Sequence, residues 1–394
     1  MSDFQYYVPT KVYFGNGSLE KLATMDLPGE KAMICMTEGV RQYVEKIVEL
    51  LEQNGVSSVI FDQVQPNPNS TGVMKAVALA QENGVDFLIG LGGGSSVDTA
   101  KAAAVVMANG GDVWEYMGGM TGKLKPVKRA LPVVAISTTS GTGTEVNPFA
   151  VITKEETCEK IDLSSEAVYP AISIIDPTLQ MTVPAALTAC QGMDVLFHSA
   201  EGYIANCATP ISNLYALESI KLVAQYLPRA VKDGSDLEAR EGMCLANLYA
   251  GIVESTSAST SEHAIGHSLG AMHTSTPHGM ALCLVCVECF KYYARYVPQL
   301  LADMAEAVGY PKTPESFVEF LEDLLEQVGL ARIDYTQWGI TPERAEEYAR
   351  NSYEVTQVLH DSDIHPMPLE DCVEIIQRSL ARAVNKEEQK EEDV

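Results

Sequence analysis

Five side chains of this sequence have the types and the spacing of a metal site. Asp194 and His198 are four residues apart, so on a helix they project from one face. His263 and His267 repeat this spacing, and His278 directly follows a proline. Three histidines and a carboxylate would form a four-ligand site for a borderline divalent metal, leaving room for a substrate oxygen. A single such pair would more simply be a surface or core-edge pair. The whole set favours a metal, because the chain has only seven histidines.

The composition limits the partners of the chain. Its 394 residues are enough for two domains, and 46% apolar residues provide a large core. Acidic residues number 53 against 27 basic ones, which gives a formal net charge of −26. That sign argues against binding to nucleic acids or to anionic membranes. An anionic small substrate is still allowed, because a few local cations or backbone N–H groups could hold it.

We predict a cytoplasmic protein with reduced thiols. Residues 1–5 lack the basic stretch and apolar core of a signal peptide, and no run reaches the roughly 18 apolar residues of a membrane span. The nine cysteines lie mostly in apolar runs, which indicates buried thiols. Cys283, Cys286 and Cys289 have a spacing seen around iron–sulfur clusters, but their apolar run favours helix packing.

Strand and helix patterns alternate in the first half of the chain. In order, we predict strand 31–36, helix 40–54, strand 59–61, helix 72–83, strand 87–91, helix 97–107 and strand 132–136. This alternation is typical of a doubly wound, Rossmann-like parallel sheet. From Pro184 onward, long stretches rich in Ala, Leu and Glu predict helices. The expected fold is an α/β dinucleotide-binding domain, residues 1–184, followed by an all-helical metal-binding domain, residues 185–394.

Two loops of the predicted sheet have the composition of nucleotide-binding turns. Gly92-Gly93-Gly94-Ser95 joins a strand to a helix, where free N–H groups and the helix dipole favour a phosphate. After the next strand, Ser137 to Val146 is rich in hydroxyls and glycine, although Thr142 and Glu145 would also fit a helix-capping box. Successive loops of this kind predict a ligand across the carboxyl edge of the sheet.

Glu38 indicates which dinucleotide would bind. It closely follows the strand that ends at Met36, where a carboxylate could accept hydrogen bonds from an adenosine ribose. Because an acid there would repel a 2′-phosphate, NAD is favoured over NADP. Glu38 could equally be an acid near a helix N-terminus.

With these residues in view, the chain resembles the iron-containing (group III) alcohol dehydrogenases over almost its full length. Each motif is weak alone, but together they are highly specific. Besides the two loops, they are Pro9-Thr10-Lys11-Val12-Tyr13-Phe14-Gly15, Asp176-Pro177-Thr178-Leu179, the segment 192–203, His263-Ala264-Ile265-Gly266-His267 and Pro277-His278-Gly279.

The resemblance implies a dehydroquinate synthase-like, two-domain architecture, an active site in the cleft between the domains, and a homodimer. It assigns the metal, Fe²⁺ or Zn²⁺, to Asp194, His198, His263 and His278. It places His267 near the nicotinamide in a catalytic role. The residues that match NAD-contacting positions are Glu38, Asn67, Gly93, Gly94, Ser95, Thr138, Thr139, Thr142 and Lys160, with Thr182 as an addition.

The chain departs from the family pattern mainly near the substrate. The segment from His267 to His278 is one residue longer than in many members, and His273 in this loop could reach the pocket as a second catalytic histidine. Phe149, Asn147 and the Cys283–Cys289 helix are further pocket candidates. The polar loop predicts a short substrate with a polar or anionic tail, such as sulfoacetaldehyde or 4-hydroxybutyrate.

The expected reaction is therefore the NAD- and metal-dependent interconversion of a short primary alcohol and its aldehyde. The metal would act as a Lewis acid on the alcohol oxygen, while the cofactor accepts hydride. A glycerol or diol dehydrogenase of the same superfamily is the main alternative. 3-Dehydroquinate synthase is less favoured because its substrate needs several basic residues in the pocket. A non-catalytic protein that binds nucleotide and metal is the remaining alternative, and the intact ligand set argues against it.

Overall fold

The computed structural model describes residues 3–391, and the side chains of residues 3–383. Six parallel strands form the main sheet, in the order β1-β8-β5-β4-β2-β3. A separate antiparallel hairpin consists of β6 and β7. The strands are β1 (Lys11–Phe14), β2 (Lys31–Met36), β3 (Ser57–Phe61), β4 (Phe87–Gly92), β5 (Val133–Ser137), β6 (Phe149–Lys154), β7 (Glu159–Ser164) and β8 (Ile172–Ile175).

Helices cover both faces of the sheet. The helices of this half are α1 (Val44–Gln53), α2 (Ser70–Asn83) and α3 (Gly94–Asn109). Along β2, Met33 and Cys35 pack into the apolar cluster of α2 and α3. Ile34 and Met36 pack into the cluster of α1 on the opposite face. Because both faces are covered, the central strands are almost wholly apolar, as parallel sheets require.

The second half of the described chain is helical. Its helices are α4 (Ala185–Ile204), α5 (Pro210–Lys232), α6 (Leu237–Thr256), α7 (Ser261–Met272), α8 (His278–Tyr296), α9 (Pro298–Ala307), α10 (Pro314–Gln327), α11 (Ala345–His360) and α12 (Leu369–Glu391). Helix α4 runs through the middle of this bundle and packs against α5, α6 and α8. Almost every residue from Thr188 to Ile204 is therefore buried.

The predicted fold class is confirmed: a doubly wound parallel sheet precedes a helical half. The change from strands to helices falls between Ile175 and Ala185, while the domain boundary at residue 184 stays a prediction. The predicted helix 40–54 is divided, because Glu38–Tyr43 form a 3₁₀ helix before α1. Strands β1 and β8 and the β6–β7 hairpin were not predicted.

Two sequence-based expectations about apolar segments also agree with the structure. Cys283, Cys286 and Cys289 are buried on α8, where they belong to the main core of the helical half. Within residues 3–391, none of the helices combines the length and the apolarity needed to cross a membrane.

Candidate active site

The candidate metal ligands lie on three packed helices of the second half, α4, α7 and α8. Asp194 and His198 are one turn apart on α4, and His263 is near the start of α7. His278 is the first residue of α8, after Pro277 has set the chain direction with an extended ψ of 137°. Three of these four side chains are at least 95% buried, and His278 is about one-fifth exposed. Residues distant in the sequence are thus brought to one point by helix packing.

Asp194 is the centre of this group. Its Oδ1 lies 3.5 Å from Nε2 of His263, 3.6 Å from Nε2 of His278 and 3.7 Å from Nδ1 of His198. Atoms that share a tetrahedral metal at about 2.1 Å are separated by roughly 3.4 Å. The distances around Asp194 therefore suit a common cation.

Buried polar atoms without partners support this assignment. Oδ1 of Asp194 and Nε2 of His263 have no hydrogen-bond partner in the described structure. Leaving such atoms buried and unpaired is costly, whereas coordination to a cation would satisfy both. The donor set, imidazole nitrogen plus carboxylate oxygen, fits zinc or iron(II). Asp194, His263 and His278 form the group of potential ligand atoms that lie within 4.8 Å of one another.

His198 is oriented differently from the other three. Its Nδ1 lies 3.3 Å from the carbonyl oxygen of Gly141, and its Nε2 lies 3.1 Å from Oε1 of Glu254. The structure therefore brings His198 to the group but turns Nε2 toward a second carboxylate. Its role as the fourth ligand stays a prediction.

The protonation states of Asp194 and His278 favour a bound cation. Burial raises the pKa of Asp194, but His198 and His263 lower it more, so the net shift is downward. Burial also lowers the pKa of His278 well below its ordinary value, and Lys160 lowers it further. At neutral pH, Asp194 is therefore an anion, and His278 has a lone pair available for a metal.

Glu201 holds His263 in place, a role that the sequence analysis missed. One oxygen of the fully buried Glu201 makes a short hydrogen bond with Nδ1 of His263. The other accepts hydrogen bonds from the backbone N–H and the hydroxyl of Thr260, both at 2.7 Å. A carboxylate that fixes the outer nitrogen of a ligating histidine directs the inner nitrogen to the metal. The sequence signal was an acid three residues after His198, on the same side of α4.

The glycine loop after β4, residues 92–95, is close to the second loop, residues 137–146. The helix α3 begins at Gly94, so its free N–H groups face the carboxyl edge of the sheet. A Cβ at Gly93 would lie 2.5 Å from Oγ1 of Thr139, and one at Gly94 would lie 2.6 Å from Cγ2 of Thr142. Glycine is thus needed at both positions for the two loops to approach one another.

The second loop packs on the helical half. The side chain of Asn247 on α6 accepts hydrogen bonds from the N–H groups of Gly141 and Gly143. A Cβ at Gly143 would lie 2.4 Å from the Cα of Gly251. No helix begins at this loop, so Thr142 and Glu145 do not form a capping box. Glu145 instead accepts a hydrogen bond from Asn247.

Lys160 and Asn67 lie between the glycine loop and the candidate metal group, which consists of Asp194, His198, His263 and His278. Nζ of Lys160 donates to Oδ1 of Asn67 at 2.9 Å. The amide of Asn67 donates to the carbonyl oxygens of Thr274 and Thr276, in the loop before His278. Burial lowers the pKa of Lys160 to about 8, although Asp194 and Asp98 oppose the shift.

The remaining candidates for NAD contacts lie at several places along this edge. Glu38 is exposed, pairs with Arg41 at 2.8 Å, and lines a cavity of about 400 Å³ next to α2. The hydroxyl of Thr182 bonds with Tyr43 at 3.1 Å. Thr138 is buried with its N–H bonded to Gly92, and Thr139 borders a small buried space beside α6. Their contacts with a cofactor stay predictions.

The two candidate catalytic histidines are in different environments. His267 lines the cavity beside the metal group, and its ring centre is 5.3 Å from that of His278. Burial, followed by the charge of Lys160, lowers the pKa of His267 well below its ordinary value. The ring of His273 instead bonds with the hydroxyl of Tyr348 at 3.0 Å, and His273 does not line the cavity. The structure gives no support for a catalytic His273.

A cavity of about 320 Å³ joins the glycine loop, the metal group and the hairpin. Its floor contains Gly94, Ser95 and Thr142, and its wall contains His198, His263, His267 and His278. The hairpin contributes Phe149, Val151, Lys160, Asp162 and Ser164, which lie on one face of β6 and β7. Asn147 and Phe149 were predicted to line the pocket, and both do.

Comparison with known proteins identifies the family. The model of iron-containing alcohol dehydrogenases matches residues 9–177, and the model of the C-terminal part of the same family matches residues 188–380. The chain belongs to the iron-containing alcohol dehydrogenase family. It is therefore an oxidoreductase, and the resemblance stated from the sequence is confirmed.

Relatives of this alcohol dehydrogenase differ in their named substrates. The NAD-dependent methanol dehydrogenase of Bacillus methanolicus is 32% identical over 95% of this chain and 99% of its own length. An alcohol dehydrogenase from an archaeal halo-thermophile of a Red Sea brine pool has a TM-score of 0.91 and 29% identity, covering 96% of this chain and 99% of that one. Sulfoacetaldehyde reductase from Bifidobacterium kashiwanohense, in complex with NAD⁺, has a TM-score of 0.82 and 27% identity, with the same coverage.

Asp162 and Glu254 are two cavity residues that the sequence analysis did not find. Asp162 follows Lys160 by two residues on a strand, so its position on the same face could have been inferred. Glu254 is on α6 and gave no comparable signal, because only helix packing brings it to His198.

Proposed function

We propose that this alcohol dehydrogenase interconverts a short primary alcohol and its aldehyde, using NAD and a divalent metal. The observation that carries the proposal is the convergence on Asp194: two histidine nitrogens lie 3.5 and 3.6 Å from its unpartnered Oδ1, beside the cavity. When bound, the metal would supply Lewis-acid polarisation of the substrate oxygen. Asp194, His263 and His278 would hold it, with His198 as the fourth ligand.

The carboxyl edge of the sheet is the proposed NAD site. NAD would supply the hydride acceptor for the alcohol carbon. The start of α3, with Gly94 and Ser95, offers N–H groups for the pyrophosphate. Lys160 and Asn67 lie between this edge and the metal group, where they can position the nicotinamide end. Glu38 would select NAD over NADP by repelling a 2′-phosphate.

His267 is the proposed proton relay. It lines the cavity, and its Nδ1 has no partner in the described structure. Because its pKa is lowered, the His267 ring is neutral at physiological pH. It can accept the alcohol proton for a short time and then release it to another acceptor.

A diol or glycerol dehydrogenase is the second candidate. Ser164, Ser257, Ser259 and Ser362 also line the cavity, and their hydroxyls could bind a second hydroxyl of the substrate. A homodimer in the cytoplasm is proposed as the setting of either enzyme. The parallel strand β1 is an edge of the sheet, and Phe14 at its end is 40% exposed.

The test is a screen of NADH oxidation with short aldehydes, with iron(II) and zinc supplied separately. We expect turnover in the presence of at least one metal. The variant His278→Ala should lose activity while NAD binding, measured by calorimetry, is retained. His273→Ala is the matched control, because His273 lies outside the cavity and should leave turnover unchanged. Unchanged turnover in His278→Ala would remove His278 from the ligand set.

A further inference from the structure

The charges that face the cavity differ from those expected for an anionic substrate. Besides the histidines, four charged side chains among the described residues line it: Asp98, Lys160, Asp162 and Glu254. Three are acidic and one is basic. His263, whose Nε2 has no hydrogen-bond partner in the described structure, also lines the cavity. The reacting oxygen of the substrate would be bound at this end of the cavity.

Two of these four groups have partners within the protein. Asp98 accepts hydrogen bonds from the hydroxyl of Thr144 at 2.6 Å and from the N–H of Val151 at 3.0 Å. Lys160 donates to Asn67. Asp98 is therefore satisfied within the protein, and Asn67 holds Lys160 at the proposed cofactor side of the cavity.

Asp162 has no such partner. It lies opposite Val151 in the hairpin, and burial raises the pKa of its carboxyl group. Within residues 3–383, no lysine or arginine pairs with it, and its carboxyl group has a hydrogen bond only with its own backbone. Asp162 is thus partly buried beside Val151 and Phe149, where a carboxylate without a cation is destabilised.

Glu254 has a hydrogen-bond donor but no lysine or arginine partner among the described side chains. Its Oε2 accepts a hydrogen bond from Asn147 at 2.8 Å, and its Oε1 faces His198. Across the side chains that the structure describes, no lysine or arginine pairs with Glu254. Its side chain is 14% exposed, and the exposed part faces the cavity.

We propose that Asp162 and Glu254 select a substrate with a cationic amino group, so that the enzyme acts on short amino alcohols and the matching amino aldehydes. The inference rests on the proposed function and names its substrate class. A protonated amine would supply a cation to Asp162, which has no charged partner, and a charged N–H donor to Glu254, which otherwise faces the ring of His198. A sulfonate or carboxylate tail would instead add a like charge to an acidic pocket. Of the two tails expected from the sequence, the anionic one is therefore disfavoured.

The test compares three alcohols that share a three-carbon chain with a terminal hydroxyl and differ in the charge of the other end. They are 3-amino-1-propanol, 1,3-propanediol and 3-hydroxypropanoate, oxidised with NAD by the metal-loaded enzyme at a pH below the amine's pKa of about 10. We expect kcat/KM to be roughly tenfold or more higher for the amino alcohol than for the diol, and lowest for the anion.

Substitutions identify the residues responsible. Asp162→Asn and Glu254→Gln should each raise KM for the amino alcohol roughly tenfold to a hundredfold, and should raise it by a larger factor than KM for the diol. Glu156→Gln is the matched control, because this exposed acid at the tip of the same hairpin does not line the cavity. Circular dichroism of each variant, and calorimetric binding of propylammonium to the NADH complex, check folding and recognition without turnover.

The outcomes separate the inference from the function on which it rests. If the enzyme oxidises the diol at least as well as the amino alcohol, the inference is wrong and the proposed function stands. The same holds if both variants keep the wild-type KM for the amino alcohol. If no alcohol reduces NAD with either metal, the proposed function and the inference both fail.

Discussion

Replacing Glu201 by Gln should weaken metal binding although residue 201 does not itself reach the metal. Glu201 accepts hydrogen bonds on both oxygens: one meets Nδ1 of His263, and the other meets the N–H and hydroxyl of Thr260. An amide has only one oxygen. Whichever way it turns, its NH₂ group faces a site that needs an acceptor.

Both orientations of the introduced amide are unfavourable. If the NH₂ group faces Thr260, two donors meet and two hydrogen bonds to a charged acceptor are lost, at about 1.5–3 kcal/mol each. If it faces His263, Nδ1 must accept, which moves the ring proton to Nε2, the atom that points at Asp194. A protonated Nε2 cannot coordinate a metal. We therefore expect metal affinity to fall roughly tenfold to a hundredfold, or about 1.4–2.8 kcal/mol.

The assay is a titration of the metal-free enzyme with zinc in competition with a chelator. Glu262→Gln is the matched control: Glu262 is also fully buried at the start of α7, but its oxygens have no hydrogen-bond partner among the described residues. Burial raises the pKa of Glu262 well above its ordinary value, so the neutral Gln resembles the native state and should bind metal normally. Wild-type affinity in Glu201→Gln would refute the reasoning.

Three further predictions concern the loop between β5 and β6. Lys101→Met should lower the free energy of unfolding by about 3–5 kcal/mol in urea titrations, because the buried ammonium of Lys101 shares its three N–H groups among four oxygens of this loop and the carbonyl oxygen of Phe149. A change below about 1 kcal/mol would contradict this. Burial raises the pKa of Glu145 to about 7, partly offset by Asn247, so the folded state retains a proton that the unfolded state releases. The contribution of Glu145 to the free energy of unfolding should thus fall as pH rises from about 4.5 to 7. Relative to wild type, the free energy of unfolding of Glu145→Gln should therefore increase by on the order of 3 kcal/mol between pH 4.5 and 7.5. Equal pH profiles of the two proteins would exclude this. Gly143→Ala should lower the melting temperature, because φ of Gly143 is +57° and the new Cβ would clash with Gly251. We expect the free energy of unfolding to fall by about 1–3 kcal/mol. An unchanged melting curve would show that the contact can relax.

Much of the fold could be predicted because its signals are local. Along β2 and β4, uninterrupted apolar runs follow from a sheet that is covered on both faces. Gly84 ends α2 in a left-handed conformation, as a glycine after a helical pattern indicates. The hairpin was missed because β6 and β7 mix apolar residues with Lys160 and Asp162, which face a cavity rather than a core.

The sequence by itself determined the class of chemistry. The spacing of Asp194 and His198 and of His263 and His267, together with the glycine loop, indicated a metal beside a dinucleotide, because helical periodicity and turn chemistry are properties of neighbouring residues. Only the tertiary structure decided which other groups surround that site. Glu201 and Glu254 are brought to the histidines by the packing of α4, α6 and α7, and distances between helices are not encoded in any local pattern.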